Sequence, residues 1–259
     1  MSHLYSAIDQ SSLLKYLFYP RRQHTKARDG AFDLAIKVEE NVSIICRAYP
    51  ARSSEPWILY FHGNGEVVSD YDQIAPFYNT CGLNLLVADY RGYGASGGTP
   101  GFAFMIHDAA IIFEKAQELL AAENSSGRWV VMGRSLGSIP ALELAARYSR
   151  NLQGLIIESG FISIVRLIRH LGLPEPGDLK PLEEAHHKLA GSIAIPSLII
   201  HGVRDRLVPL TQGRELYENI GAMEKELVEI SRADHNDIMF VEQTKYMDAI
   251  SRFVTGGGC

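Results

Sequence analysis

Gly133-Arg134-Ser135-Leu136-Gly137 is a Gly-x-Ser-x-Gly pentapeptide. Between a strand and a helix, this pattern makes a sharp turn that presents the serine hydroxyl at the strand's end, with glycines where backbones must pass closely. The helix behind it offers free N–H groups and a positive dipole end, suited to developing negative charge. The same residues would serve an ordinary glycine turn with a serine helix cap. A serine hydroxyl is a poor nucleophile at neutral pH and needs a base. Candidates follow in the order acid, then histidine: Asp205 in His201-Gly202-Val203-Arg204-Asp205, and His235 in Ala233-Asp234-His235-Asn236-Asp237. A loop aspartate is commonly a turn former, and a loop histidine commonly a solvated bystander. All three types, in this order and each just past an apolar run, point to nucleophilic catalysis. Glu158, just past Leu155-Ile156-Ile157, is the rival acid. An oxyanion would need backbone donors, for which His62-Gly63-Asn64-Gly65 offers Asn64 or Gly65 and the elbow offers Leu136.

These residues need elements to carry them. Short apolar runs at Trp57–Phe61, Leu83–Ala88, Arg128–Met132, Leu155–Ile157, Ser197–His201 and Glu226–Ile230 read as strands. Phe32–Val38 and Val42–Ala48 read as an opening antiparallel hairpin around Glu40-Asn41. Helical spacing runs over Phe102–Ala122, Leu136–Tyr148, Gln212–Ile220 and Phe240–Phe253, and weakly over Asp70–Thr80. Strand-helix alternation predicts an α/β fold, a parallel sheet with helices on both faces. Phe161–Ile195, punctuated by Pro174, Pro176 and Pro181, interrupts that rhythm and reads as a small helical lid on a single domain. Its apolar set, from Ile164 and Val165 to Leu171 and Leu173, either packs on the sheet or walls an acyl pocket.

The chain has 259 residues, 46% hydrophobic and 21% charged, with formal net charge −5. That length buries a sizeable core without metals or cross-links. Its mild acidity argues against a nucleic-acid partner. No run suits a transmembrane segment or a cleaved leader: the apolar patch Leu13–Tyr19 is interrupted by Lys15. Three widely spaced cysteines, Cys46, Cys81 and Cys259, predict neither a disulfide framework nor a zinc cluster, which favours a cytoplasmic location. The Gly256–Cys259 tail reads as frayed.

With these segments in hand, the chain from about Phe32 to Phe253 resembles the α/β-hydrolase-fold serine hydrolases. The resemblance rests on His62-Gly63-Asn64-Gly65, on Asp89-Tyr90-Arg91-Gly92-Tyr93-Gly94-Ala95-Ser96, on the Gly133–Gly137 elbow, and on His201-Gly202 with Asp205 and Val208-Pro209. It implies an eight-stranded, mostly parallel sheet and a Ser135–His235–Asp205 triad. The small-lidded branch, with acyl-protein-thioesterase-like and peptidase-like members, is similar. The expected substrate is a small-molecule acyl ester or thioester, with amide hydrolysis, acyl transfer or a non-catalytic binding role as alternatives.

Other motifs carry less. Gly92-x-Gly94-x-x-Gly97 matches a dinucleotide fingerprint, but Gly98, Pro100 and Gly101 intervene before the next helix, so no cofactor is expected. His186-His187 and His170 read as a solvated lid face rather than metal ligands. His62 reads as structural, Asp108 as a helix-surface acid and Asp237 as a helix cap. Arg91 and Arg134 read as solvated, or as partners for an anionic leaving group.

Overall fold

The computed structural model describes residues 2–52, 54–122 and 128–259. Eight strands form one sheet: β1 (Phe32–Glu39), β2 (Val42–Tyr49), β3 (Trp57–Phe61), β4 (Asn84–Ala88), β5 (Trp129–Arg134), β6 (Leu152–Glu158), β7 (Ser197–Gly202) and β8 (Lys225–Ile230). Their spatial order is β1-β2-β4-β3-β5-β6-β7-β8. The β1–β2 and β2–β4 pairs are antiparallel, and every other pair is parallel.

The central strands are apolar throughout because helices cover both faces. Successive side chains on a strand point to opposite sides. Trp57, Leu59 and Phe61 therefore enter one core with Leu86, Val131, Leu155, Ile157 and Ile199. Ile58 and Tyr60 enter the other, with Leu85, Val87, Val130, Met132, Ile156 and Ile200. The first core is closed by α4 (Phe102–Ala122), α5 (Ser138–Arg147), α6 (Ile164–His170), α7 (Lys180–Ser192) and α8 (Leu210–Asn219). The second is closed by α3 (Ala75–Thr80), α9 (Ile238–Val241) and α10 (Gln243–Thr255).

The segment between β6 and β7 supplies α6 and α7. Ile164, Val165 and Ile168 are buried in the first core, whereas Leu171 stays exposed. Of the two readings of that apolar set, packing accounts for these side chains. Two short helices that hydrophobic periodicity does not reveal, α1 (Ser6–Asp9) and α2 (Leu14–Leu17), lie before the sheet. They dock through Tyr5, Ile8, Leu13 and Leu17, all buried in the first core. No helix among the described residues is long and apolar enough to cross a membrane.

The cysteine expectation needs correction. Cys81 and Cys259 form a disulfide across 178 residues of sequence, while Cys46 is free and buried. Gly256, at φ 78°, turns the chain back after α10 and sends the tail toward the end of α3. Spacing alone could not reveal a pair that only the packed sheet face brings together. A pairing of this kind persists where conditions are oxidising, which removes the cysteine-based ground for a cytoplasmic location.

Candidate active site

Ser135, His235 and Asp205 come from three different strand ends and meet in one hydrogen-bonded line. Ser135 begins a single 3-10 turn between β5 and α5. Its φ of 51° is one of two positive values among the described non-glycine residues. Such a conformation costs about 1–3 kcal/mol and persists only where its surroundings enforce it. Here they do: a Cβ at Gly133 would strike the Gly137 carbonyl, and one at Gly137 the Phe61 carbonyl. The two glycines let the elbow fold back onto β3 and α5.

His235 lies in the loop after β8. Its Nε2 is 3.0 Å from Ser135 Oγ, and its Nδ1 is 2.7 Å from Asp205 Oδ2. Asp205 sits in the turn after β7, where its Oδ1 accepts the N–H groups of Leu207 (3.0 Å) and Val208 (2.8 Å). Burial alone would push the Asp205 carboxyl up. Hydrogen bonds from His201 and His235, with the Val208 amide, outweigh it and hold the group well below the usual carboxylate range. An ionised Asp205 fixes His235 with Nδ1–H donating, which leaves Nε2 free to accept the serine proton. The rival acid is elsewhere. Glu158 Oε2 accepts the hydroxyls of Tyr60 (3.2 Å) and Tyr246 (2.7 Å), and its Oε1 accepts Arg134 Nε (3.2 Å).

The loop after β3 carries the proposed oxyanion donors. The Asn64 side chain is pinned on three sides: Oδ1 accepts Tyr93 Oη–H (2.7 Å) and Tyr19 N–H (2.9 Å), and Nδ2 donates to the Leu17 carbonyl (3.1 Å). The Tyr19 amide also reaches the Tyr93 hydroxyl (3.1 Å). Beneath the loop, His62 is fully buried, its Nε2 3.1 Å from Asp89 Oδ1.

Several other expectations are corrected. Asp108 is a buried acid rather than a surface one, paired with both Nε (2.7 Å) and Nη2 (2.8 Å) of Arg91, so neither residue is solvated. His186 is buried, not lid-surface, between Tyr5 Oη (2.6 Å) and Ser163 Oγ (2.9 Å). Neighbouring His187 is part-exposed, 3.8 Å from Glu215, and His170 lies 3.1 Å from the Arg206 carbonyl, so the three histidines do not converge. Asp237 braces the histidine loop by accepting the Asp234 N–H (2.7 Å) and makes no side-chain cap to α9. Arg134 is buried beside Ser135 rather than solvated. Sequence reasoning missed Glu66, Tyr93 and the Leu17–Arg21 segment, which brace the loop after β3. No local pattern links Asn64 to residues 29 to 47 positions away.

The family model for serine aminopeptidase, S33, matches residues 52–181, half of the chain. The chain is a member of this α/β-hydrolase family. An uncharacterised membrane protein of Saccharomyces cerevisiae is 30% identical over 190 residues, 70% of this chain and 64% of the yeast protein. Protein bem46 of Schizosaccharomyces pombe is 29% identical over 190 residues, covering 71% and 62%. The chain thus spans less than two thirds of the length of these two relatives. Among solved structures, the esterase Pf2001 of Pyrococcus furiosus superposes with a TM-score of 0.73 at 21% identity, covering 92% of this chain and 98% of that one. Est1E of Butyrivibrio proteoclasticus, solved with ferulic acid bound, gives 0.69 at 17% identity, with 85% and 97% covered. At those identities the likeness speaks to the fold.

Proposed function

We propose that this hydrolase cleaves a carboxylic ester or thioester through an acyl-enzyme intermediate, with Ser135, His235 and Asp205 as the triad. The observation that carries the reading is the continuous Ser135–His235–Asp205 hydrogen-bonded line, at 3.0 and 2.7 Å. Ser135 Oγ attacks the acyl carbonyl as His235 Nε2 takes its proton, and Asp205 orients the ring and stabilises the imidazolium. The carbonyl oxygen, now anionic, is held by the N–H groups of Leu136 and of Asn64 or Gly65. His235 then protonates the departing alcohol or thiol as the tetrahedral adduct collapses. Water, deprotonated by the same histidine, attacks the acyl-serine, and the acid leaves with Ser135 reprotonated.

The family model's name raises an amide alternative. A peptide amino terminus would want an uncommitted carboxylate beside the nucleophile. Three acids near the triad are engaged by side-chain partners: Asp205 by His235, and Glu66 and Glu158 by Arg134. This favours neutral acyl esters and thioesters over aminoacyl amides.

A fluorophosphonate probe followed by a substrate panel tests the proposal. The parent protein is expected to label and to turn over p-nitrophenyl esters and acyl thioesters, with aminoacyl amides slower. Ser135→Ala should lose labelling, and kcat should fall by at least about 10⁴-fold. Retention of near-parental turnover in Ser135→Ala would refute the assignment.

A further inference from the structure

Arg134 is the residue before the nucleophile, the last of β5, and its side chain is 9% exposed. Its guanidinium reaches two separate loops and the end of β6. Nη2 donates to the His235 carbonyl (2.9 Å) and to Asn236 Oδ1 (2.9 Å). Nη1 donates to Glu66 Oε1 (2.5 Å), and Nε donates to Glu158 Oε1 (3.2 Å). Glu66 passes the connection on, because its Oε2 accepts the Gly63 N–H (2.7 Å) and the Tyr71 hydroxyl (2.9 Å). Gly63 directly precedes Asn64. One rigid fork therefore links the peptide carrying the base, the loop carrying the oxyanion donor and, through the chain itself, the nucleophile.

The chemistry of this cluster suits positioning. A buried ion pair adds little net stability, since desolvation offsets its attraction. What it supplies is direction: a guanidinium presents five N–H donors in a fixed plane, which an ammonium on a flexible stem cannot reproduce. Burial would lower the Arg134 pKa, but Glu66 and Glu158 raise it further, so the cation is permanent. The bond to the His235 carbonyl lies on the same residue as the imidazole, so a shift of that peptide moves Nε2 relative to Ser135 Oγ. A misplacement of about 1 Å at a reacting group can cost about 10²-fold in rate.

We propose that Arg134 is a positioning residue of the hydrolytic reaction. It sets the His235 peptide and, through Glu66, the oxyanion loop, against the strained Ser135. The proposal rests on the triad reading given above.

The test uses Arg134→Lys, which keeps the buried charge and loses the fork, and Arg134→Ala with added guanidinium. A cavity of about 140 Å³ lined by Tyr60, Glu66, Arg134, Glu158 and Phe240 adjoins the side chain and gives the small cation a way in. With a soluble p-nitrophenyl ester, Arg134→Lys is expected to lose about 10- to 100-fold in kcat, with KM unchanged within about threefold. Millimolar guanidinium should restore part of the kcat of Arg134→Ala in a saturable way that sodium chloride does not reproduce. An Arg134→Lys enzyme with kcat within about threefold of the parent overturns the proposal, as does a folded Arg134→Ala whose deficit guanidinium leaves unchanged. Should Arg134→Ala not fold, the kcat–KM split of Arg134→Lys decides alone. Ser135→Ala, assayed alongside, separates the two readings. Parental activity there removes the triad itself, whereas an inactive Ser135→Ala beside an unimpaired Arg134→Lys removes only the role of Arg134.

Discussion

Two carboxylates stand at or just past the ends of two different strands, and their hydrogen bonds differ. Asp205 Oδ2 takes the Nδ1–H of His235, while Glu158 is occupied by Tyr60, Tyr246 and Arg134. Asp205→Asn keeps the shape but presents an amide to Nδ1, favouring the tautomer whose Nε2 already carries a proton. Its kcat is expected to fall by about 10⁴-fold. Glu158→Gln should cost at most about tenfold, because it disturbs the histidine only through Arg134. Stopped-flow acylation rates of the two variants would check this, and a reversed ranking would move the acid to Glu158. Residue types in order were enough to nominate Ser135, Asp205 and His235. The donor and acceptor geometry that puts Asp205, and not Glu158, against His235 depends on neighbours distant in sequence and so had no local signature.

At the scale of elements, the elbow is where local sequence and packing agree most closely. The two glycines of Gly133-Arg134-Ser135-Leu136-Gly137 sit where added atoms would meet backbone that cannot yield. Gly137→Ala should therefore destabilise the fold by about 1–3 kcal/mol, read as a lower urea midpoint, and reduce fluorophosphonate labelling of whatever folds. An unchanged midpoint would mean that β3 and α5 can separate there. The parallel strands were legible because burial on both faces makes them near-continuous apolar runs, and β3 and α4 match their expected limits. The short helices α1 and α2 were not. One turn each is too little to display a period, and their burial comes from docking rather than from amphipathic repetition. The segment between β6 and β7 showed its apolar residues plainly, yet which surface they meet is a property of the assembled first core.

Two long-range ties operate at the scale of the whole molecule. Burial holds His186 neutral, its pKa lowered from 6.5 to about 4. Below about pH 6.5 the unfolded chain binds a proton that the folded chain refuses until about pH 4. This contribution is thus complete above pH 6.5 and lost as pH falls toward 4, amounting to about 2 kcal/mol between pH 7.5 and pH 5. Chemical unfolding at the two pH values should show the loss, and His186→Asn should flatten it. An equal pH dependence in both proteins would clear His186 of this role. The Cys81–Cys259 bridge closes a loop of 178 residues and should add about 2–4 kcal/mol under oxidising conditions. Reductant should lower the unfolding midpoint of the parent but not of Cys259→Ser. By itself the sequence determined the class of fold, the order of Ser135, Asp205 and His235, and the strand ends that carry them. These follow from patterns a few residues long: alternation, apolar runs and glycine turns. Tertiary structure alone decided that Cys259 reaches Cys81, that Arg91 and Asp108 are buried as a pair, and that the Arg134 guanidinium spans the His235 loop and Glu66 in the loop after β3. Each depends on groups brought together across tens to hundreds of residues, where the contact is set by packing and leaves no mark in the intervening chain.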